Sequence, residues 1–258
     1  MMEMPATLAL IGGEEFSGGF EDVHAVLLGG RRRVAFLPTC AAHDGPDVVV
    51  YWCDLARRHL AALGATVATP WVVDRASADD ADHARTVAEA DLVYMGGGFP
   101  HVGMEILAGT RVLAALYEAA ARGACLAGAS AGAMMLCARS FVITPEIGAA
   151  YEEVLARGVP QDWDPPLPPP LECLGMVPRA LCMPHFNMPF PQKWLDHGLL
   201  PAGYAFIGVE EQTALIRCGD AWTVRGRGQV ACGVPPAPLE RYAAGSRVGL
   251  PALWGSAL

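Results

Sequence analysis

The sequence lacks an apolar segment long enough to cross a membrane. The strongest candidate is the run of sixteen uncharged residues between Arg122 and Arg139, which is built largely of Gly and Ala. A membrane span needs about 20 mainly apolar residues. The first residues have no basic region and reach Glu14 and Glu15 after a short apolar stretch, which is not typical of a signal peptide. We therefore expect a cytoplasmic protein that does not bind membranes.

The sequence also lacks closely paired cysteines and blocks of like charge. Its eight cysteines include no C-x-x-C pair, which argues against a zinc site and against a small disulfide framework. The net charge of −9 argues against nucleic acid as a partner. We expect reduced thiols, no bound metal and no other cofactor.

What the sequence does contain is an alternation of short apolar runs and helical patterns. Strands are predicted for "ATLALIGG", "RRVAFLPTC", "DLVYMGGG" and "ACLAGAS", with helical patterns between them. This alternation predicts an α/β fold, in which helices cover both faces of a parallel sheet, and one domain over residues 1–258. Six prolines between 160 and 170 predict an extended surface loop over about 158–171. A hairpin is predicted for "AWTVRGRGQVACG".

The uncharged run contains a serine in a pattern typical of a nucleophile. Residues 128–132 read "GASAG", which fits G-x-S-x-G at the junction of a predicted strand and a predicted helix. The small neighbours would leave room for a sharp turn at Ser130, and the helix start would direct the Ala131 N–H at a developing oxyanion. The alternative is a buried, Gly- and Ala-rich helix start with Ser130 as its cap.

A second glycine turn strengthens the functional interpretation. Gly96, Gly97 and Gly98 end the predicted strand before the one that leads to Ser130, so both turns should lie at the same edge of the sheet. Neighbouring strands are only about 5 Å apart, and the N–H of Gly97 or Gly98 would then supply a second oxyanion donor. A tight structural turn is the alternative. The spacing of a phosphate-binding loop is absent.

A nucleophilic serine needs a base and an acid that orients the base. His185 ends the apolar run "ALCMPHF" and is therefore expected at the same sheet edge, with His101 as the reserve candidate. His59 and His83 fall in helical patterns and are expected at the surface. For the acid, Glu146 lies shortly after Ser130 and follows a strand-like run. The neighbouring glutamates 152 and 153 remain open as alternatives.

Together these motifs resemble a known family, the serine peptidases that include cyanophycinase and aspartyl dipeptidase (dipeptidase E). The similarity extends over most of the chain, from about Leu8 to Val230. The matching segments, in chain order, are "LALIGGEE", "FLPTC", "YMGGGFP", "GASAGA", "PHF" and "GVEEQTA". The combination of S-A-G-A with a downstream H-F and E-x-T-A is much more specific than any one of them.

The resemblance implies both a fold and a reaction. It implies a flavodoxin-like, three-layer α/β sandwich with a mostly parallel sheet, related to the class I glutamine amidotransferases but with serine in place of their cysteine. It also implies a Ser-His-acid triad whose acid follows the nucleophile at about the spacing of Glu146. The expected activity is hydrolysis of short peptides, such as N-terminal Asp-Xaa dipeptides, through an acyl-enzyme. The expected partner is a small peptide substrate, and a homodimer is left open.

The residues expected to bind substrate depart from the family pattern. Cyanophycinase carries a glutamine after its glycine turn and arginines after H-F, whereas this chain has Phe99 after the turn and no arginine in "HFNMPFPQKW". A cation for an acidic substrate side chain would therefore come from Lys193, Arg139 or Arg179. The alternatives are a cyanophycinase-like enzyme, a non-catalytic ligand-binding member of the same fold, and an α/β-hydrolase esterase.

Overall fold

A computed structural model describes residue 5 and residues 7–160 and 163–249 of the chain. The helices are α1 (Glu21–Leu28), α2 (Pro46–Ala62), α3 (Arg75–Ala78), α4 (Ala81–Glu89), α5 (Pro100–Leu107), α6 (Arg111–Ala121), α7 (Ala131–Leu136), α8 (Pro145–Arg157) and α9 (Gln192–Asp196). A 3-10 helix spans Thr39–Asp44.

The strands form two sheets. The strands of the eight-stranded sheet are β1 (Thr7–Ile11), β2 (Arg33–Leu37), β3 (Thr66–Ala68), β4 (Leu92–Met95), β5 (Cys125–Ala129), β10 (Thr213–Cys218), β11 (Ala221–Gly226) and β14 (Arg247–Val248). Those of the six-stranded sheet are β6 (Cys137–Phe141), β7 (Pro170–Glu172), β8 (Val177–Met183), β9 (Ala205–Val209), β12 (Gln229–Gly233) and β13 (Glu240–Ala243).

The larger sheet confirms the expected α/β class. Its order is β14-β11-β10-β1-β5-β4-β2-β3, and the five strands from β1 to β3 in that order run parallel. The strands β10, β11 and β14 add an antiparallel extension at the other side. The sequence pattern predicts a single sheet, and it does not predict the second sheet that the structure contains.

Strand alternation places a hydrophobic core on each face of the larger sheet. In β1, Leu8 and Leu10 pack on the side of α4 to α7, whereas Ala9 and Ile11 pack on the side of α1 and α2. This is the period of two that a strand buried on both faces requires. Helices therefore cover both faces of the parallel strands, as the sequence pattern predicts.

The hairpin expected from the sequence does not form, because its two strands belong to different sheets. β11 pairs with β10 in the larger sheet, whereas β12 pairs with β9 in the smaller one, so the two consecutive strands do not pair with each other. The chain crosses between the sheets at Arg227 and Gly228, where the Gly228 N–H donates to Thr213 Oγ1 at 2.9 Å. The proline-rich segment at 158–160 and 163–169 has neither helix nor strand.

One buried polar group lies within the core between α1, α2 and β4. His24 is fully buried, with Nδ1 2.9 Å from His59 Nε2 and Nε2 3.2 Å from the Tyr94 hydroxyl. His59 is thus half-buried against His24 and not simply a surface residue, as its helical pattern had suggested. Burial, together with the neighbouring His59, lowers the pKa of His24 to about 3, so the His24 ring is neutral at pH 7. Burial also lowers the pKa of His59.

This burial predicts an acid-dependent loss of stability. The pKa of His24 is lower in the folded protein than the value of about 6.5 expected in the unfolded chain. The neutral His24 ring therefore makes its full contribution to the free energy of unfolding above pH 6.5. It is lost as the pH falls from 6.5 towards 3, by at most about 1.4 kcal/mol per pH unit. We expect His24→Gln to flatten this decline in urea midpoints measured between pH 7 and pH 4. Replacement of the exposed His197 by Gln is the control, and an equal decline in both variants would contradict the assignment.

Candidate active site

Ser130 lies on a strained turn between β5 and α7. Its backbone has φ 51° and ψ −118°, a conformation that residues other than glycine rarely adopt. The Ser130 N–H donates to the Ile11 carbonyl at 3.0 Å, which ties the turn to the end of β1. The Ser130 side chain makes no capping hydrogen bond to α7. Ser130 thus occupies the N-cap position of α7 without capping it through its side chain, and the strained strand-to-helix turn resembles that of a nucleophile elbow.

The flanking glycines allow the backbones around this turn to approach closely. A Cβ atom on Gly128 would lie 2.4 Å from the carbonyl carbon of Gly132, and one on Gly132 would lie 2.3 Å from the Met95 carbonyl oxygen. Real Cβ atoms do not come this close to backbone, so any larger residue would push α7 away from β4 and β5. The two glycines of "GASAG" are therefore required by packing.

The glycine turn after β4 lies beside the serine. Met95 pairs with Gly128 across the parallel strands, so the turn leaves the sheet next to Ser130. A Cβ on Gly97 would lie 3.7 Å from Ser130 Oγ, and Gly98 lines the cavities that adjoin the serine. The structure thus brings Gly97 and Gly98 close to Ser130, and Ala131 follows Ser130 at the start of α7.

His185 reaches the serine from the second sheet. It follows the end of β8, and its Nε2 lies 3.0 Å from Ser130 Oγ. The His185 N–H donates to the Gly12 carbonyl at 3.0 Å. Its ring packs on Gly13, where a Cβ atom would lie 2.4 Å from His185 Cε1. Gly13 therefore provides the space that the imidazole occupies.

The acid at His185 is Glu211, and the expectation for Glu146 is corrected. Glu211 Oε1 lies 3.0 Å from His185 Nδ1. Glu146 is exposed in the first turn of α8, and neither Glu152 nor Glu153 bonds to His185. The physical reason is topological, because Glu211 lies on the crossover from β9 in the smaller sheet to β10 in the larger one, beside the end of β1.

Asn187 fixes the carboxylate of Glu211. The Asn187 Nδ2 donates to Glu211 Oε2 at 3.2 Å, and the Glu211 N–H donates to Asn187 Oδ1 at 3.0 Å. The neighbouring Glu210 faces elsewhere, because it accepts from the Gln229 N–H at 2.8 Å and pairs with Arg241. The sequence motif "GVEEQTA" contained both glutamates, but nothing in its pattern shows which one faces the histidine.

The residues expected to bind substrate do not line the cavities at Ser130. Lys193 pairs with Asp164, and Arg139 pairs with Glu172 at 2.5 Å. Phe99 lies with the reserve histidine, His101, in a separate cavity beside α8. The proposed contacts of Phe99, Lys193 and Arg139 with substrate therefore have no support in the geometry, and the exposed Arg179 is also outside these cavities.

Two cavities of the described chain adjoin Ser130 and His185. One, of about 190 Å³, is lined mainly by apolar side chains of β6, α8 and the segment after β8. The other, of about 360 Å³, includes Glu14, Glu15 and the aromatic side chains of α2. No Lys or Arg side chain lines either cavity in the part of the chain that the structure describes.

Glu15 is nearly fully buried at the edge of the larger cavity. Its side chain is 5% exposed, and burial raises its pKa to about 7, with the nearby Glu14 adding to the shift. Within residues 7–160 and 163–249, no group of three or more His, Cys, Asp or Glu side chains is placed to hold a metal ion. No helix in the described ranges is long and apolar enough to span a membrane.

Comparisons with known proteins identify relatives of the chain. Its sequence matches the family model of peptidase family S51 over residues 8–225, whereas no curated protein matches it. A solved peptidase from an acI-B1 actinobacterium is 24% identical, with 96% of this chain and 98% of that chain covered and a TM-score of 0.78. A putative peptidase E protein from Listeria monocytogenes EGD-e is 19% identical, with coverages of 88% and 99% and a TM-score of 0.55. Both structures share the fold described above.

The close packing at the turn predicts that Gly132→Ala disrupts it. The new methyl group would overlap the Met95 carbonyl, so we expect a loss of about 1–3 kcal/mol of unfolding free energy and a misplaced Ser130. Urea unfolding and the labelling rate of Ser130 by a fluorophosphonate would measure the two effects. Gly249→Ala, where a Cβ meets nothing within 4 Å and which lines neither cavity at Ser130, is the matched control. Equal stability and labelling in both variants would contradict this account of the turn.

Proposed function

Since this chain belongs to peptidase family S51 and is a serine peptidase, we propose that it hydrolyses short peptides through Ser130, His185 and Glu211. Family membership bears out the resemblance that the sequence motifs suggest, and it replaces the α/β-hydrolase alternative. The observation that carries the proposal is the continuous contact from Ser130 Oγ to His185 Nε2 and from His185 Nδ1 to Glu211 Oε1, each 3.0 Å long. A non-catalytic binding protein would have no need of this arrangement.

The proposed reaction begins with attack on the peptide carbonyl. Ser130 Oγ attacks the carbonyl carbon while His185 Nε2 takes the hydroxyl proton, and the Glu211 carboxylate stabilises the imidazolium that forms. His185 then gives the proton to the leaving amine as the C–N bond breaks, which leaves an acyl-enzyme. Water attacks this ester by the same route in reverse and releases Ser130.

Backbone N–H groups are proposed to stabilise the tetrahedral intermediate. Ala131 follows the nucleophile at the start of α7, and Gly97 and Gly98 lie beside it at the end of β4. Donors of this kind typically contribute about 3 kcal/mol each to the stabilisation of the transition state. The close approach of Gly97 to Ser130 supports this assignment, because a Cβ atom at Gly97 would lie only 3.3 Å from Ser130 Cβ.

The polar cavity supports a short peptide as substrate. Glu14 and Glu15 line the same cavity as Ser130, and a carboxylate suits the positively charged amino terminus that a dipeptide carries near its scissile bond. An ammonium group bound there would favour the ionised form of Glu15, whose pKa burial has raised. The absence of Lys and Arg from both cavities of the described chain does not favour cyanophycin or an N-terminal aspartate.

The nucleophile is tested by Ser130→Ala. We expect turnover of a dipeptide to fall by about a millionfold, the typical effect of removing the nucleophile of a triad. Fluorophosphonate labelling of the wild-type protein should modify Ser130, and labelling should disappear in the variant while circular dichroism is unchanged. Labelling of the wild type at another residue would overturn the assignment.

The acid is tested by comparison of two glutamates. Glu211→Gln should lower turnover about a thousandfold or more, because the imidazolium loses its charged partner while the shape of the site is kept. Glu146→Gln, which changes an exposed residue of α8, should stay within a fewfold of wild type. Steady-state kinetics of both variants with one dipeptide would decide the matter, and the opposite ranking would return the role to Glu146.

A further inference from the structure

The smaller cavity at Ser130 has an apolar wall. Its lining includes the side chains of Met134, Phe141, Ile147, Met183 and Met188. The first three are at least 97% buried, and these three and Met183 belong to the same packed region around α8 and the second sheet. Methionine side chains adapt to the shape of what they contact, so this wall suits apolar groups of differing outline.

Among the described residues, no Lys or Arg side chain lines this cavity. Besides Ser130 and His185, the lining includes Tyr151, whose hydroxyl is buried and has no hydrogen-bond partner among the described residues. A neutral phenol does not neutralise a carboxylate. An aspartate side chain placed here would lose its hydration without gaining an opposite charge, which is unfavourable.

The size of the cavity matches one large side chain. Its volume is about 190 Å³, and an apolar protein cavity of about 150 Å³ is enough to bind benzene. The cavity is therefore large enough for the side chain of leucine, methionine or phenylalanine. It is too small for several residues of a polymer.

We propose that this cavity binds an apolar side chain of the substrate next to the scissile bond, so that the enzyme prefers peptides with Leu, Met or Phe at that position over aspartyl peptides. This inference rests on the proposed function, because it takes Ser130 as the nucleophile. The carboxyl groups of Glu14 and Glu15 lie in the other cavity, so the two cavities at Ser130 separate apolar from charged parts of the substrate.

The first experiment measures kcat/KM for two dipeptide series, Xaa-Ala and Ala-Xaa, in which Xaa is Ala, Leu, Met, Phe, Asp or Lys. In one of the series we expect Leu, Met and Phe to exceed Ala by about ten- to a hundredfold, the range that burial of a large apolar side chain supplies. Asp should fall below Ala in that series. Equal values across both series, or Asp at or above Leu, would overturn the proposal.

The second experiment narrows the cavity at Gly148. This residue of α8 lines the cavity, and a Cβ there meets nothing within 4 Å, so Gly148→Leu introduces a larger side chain whose first atom displaces no neighbour. We expect kcat/KM for the preferred Phe peptide to fall at least tenfold more than that for Ala-Ala. Ala149→Leu is the matched control, because Ala149 is exposed and, of the two cavities that Gly148 lines, it lines only the one beside Phe99 and His101. An equal effect of both variants on the Phe peptide would contradict the proposal.

Fluorophosphonate labelling distinguishes the failure of this inference from that of the proposed function. If Ser130 is labelled and Ala-Ala is cleaved but apolar side chains give no advantage, the cavity assignment alone is wrong. If Ser130 is neither labelled nor required for cleavage, the proposed function itself is wrong. Gly148→Ala serves as a smaller step of the same kind should Gly148→Leu unfold at a lower temperature than wild type, and its Phe-to-Ala ratio should fall in the same direction.

Discussion

Three backbone carbonyls at the end of β1 hold the candidate site together. They belong to Ile11, Gly12 and Gly13, and they accept hydrogen bonds of 2.9 to 3.0 Å from the N–H groups of Ser130, His185 and Gln212. The donors belong to the serine, to the histidine and to the neighbour of Glu211, and their segments come from both sheets. All three donor residues have a positive φ, which strains the backbone at each turn. The hydrogen bonds to the end of β1 stabilise these strained conformations.

Much of this arrangement could be predicted from the sequence, because its causes are local. Alternating strands and helices fixed the class of the fold, and a parallel sheet brings the ends of its strands to one edge. Ser130 follows a strong strand pattern of the parallel sheet. His185 also follows a strand, but that strand, β8, belongs to the smaller sheet, so the two residues do not meet at the single sheet edge that the sequence predicts. Gly128 and Gly132 signal close packing by their spacing, and the structure shows that a Cβ at either position would overlap backbone.

The remaining features depend on contacts that local patterns do not contain. Glu211 faces His185 because the chain crosses between two sheets after β9, and a second sheet is not visible in the order of strands and helices. The same cause separates β11 from β12, which a local pattern predicts to pair as a hairpin. The sequence pattern also does not show that two basic residues expected to bind substrate have acidic partners. Lys193 pairs with Asp164 and Arg139 pairs with Glu172, and both partners are distant in sequence.

The central claim is that Glu211 acts through His185, and a double-mutant cycle tests it most directly. The hydrolysis of an activated ester by wild type, Glu211→Gln, His185→Ala and the double variant should be measured under single-turnover conditions. Residues that act as a unit give strongly non-additive effects. The account predicts that Glu211→Gln slows the reaction when His185 is present and has no further effect when it is absent. Equal slowing in both backgrounds would show that Glu211 acts independently of the histidine and would contradict the account.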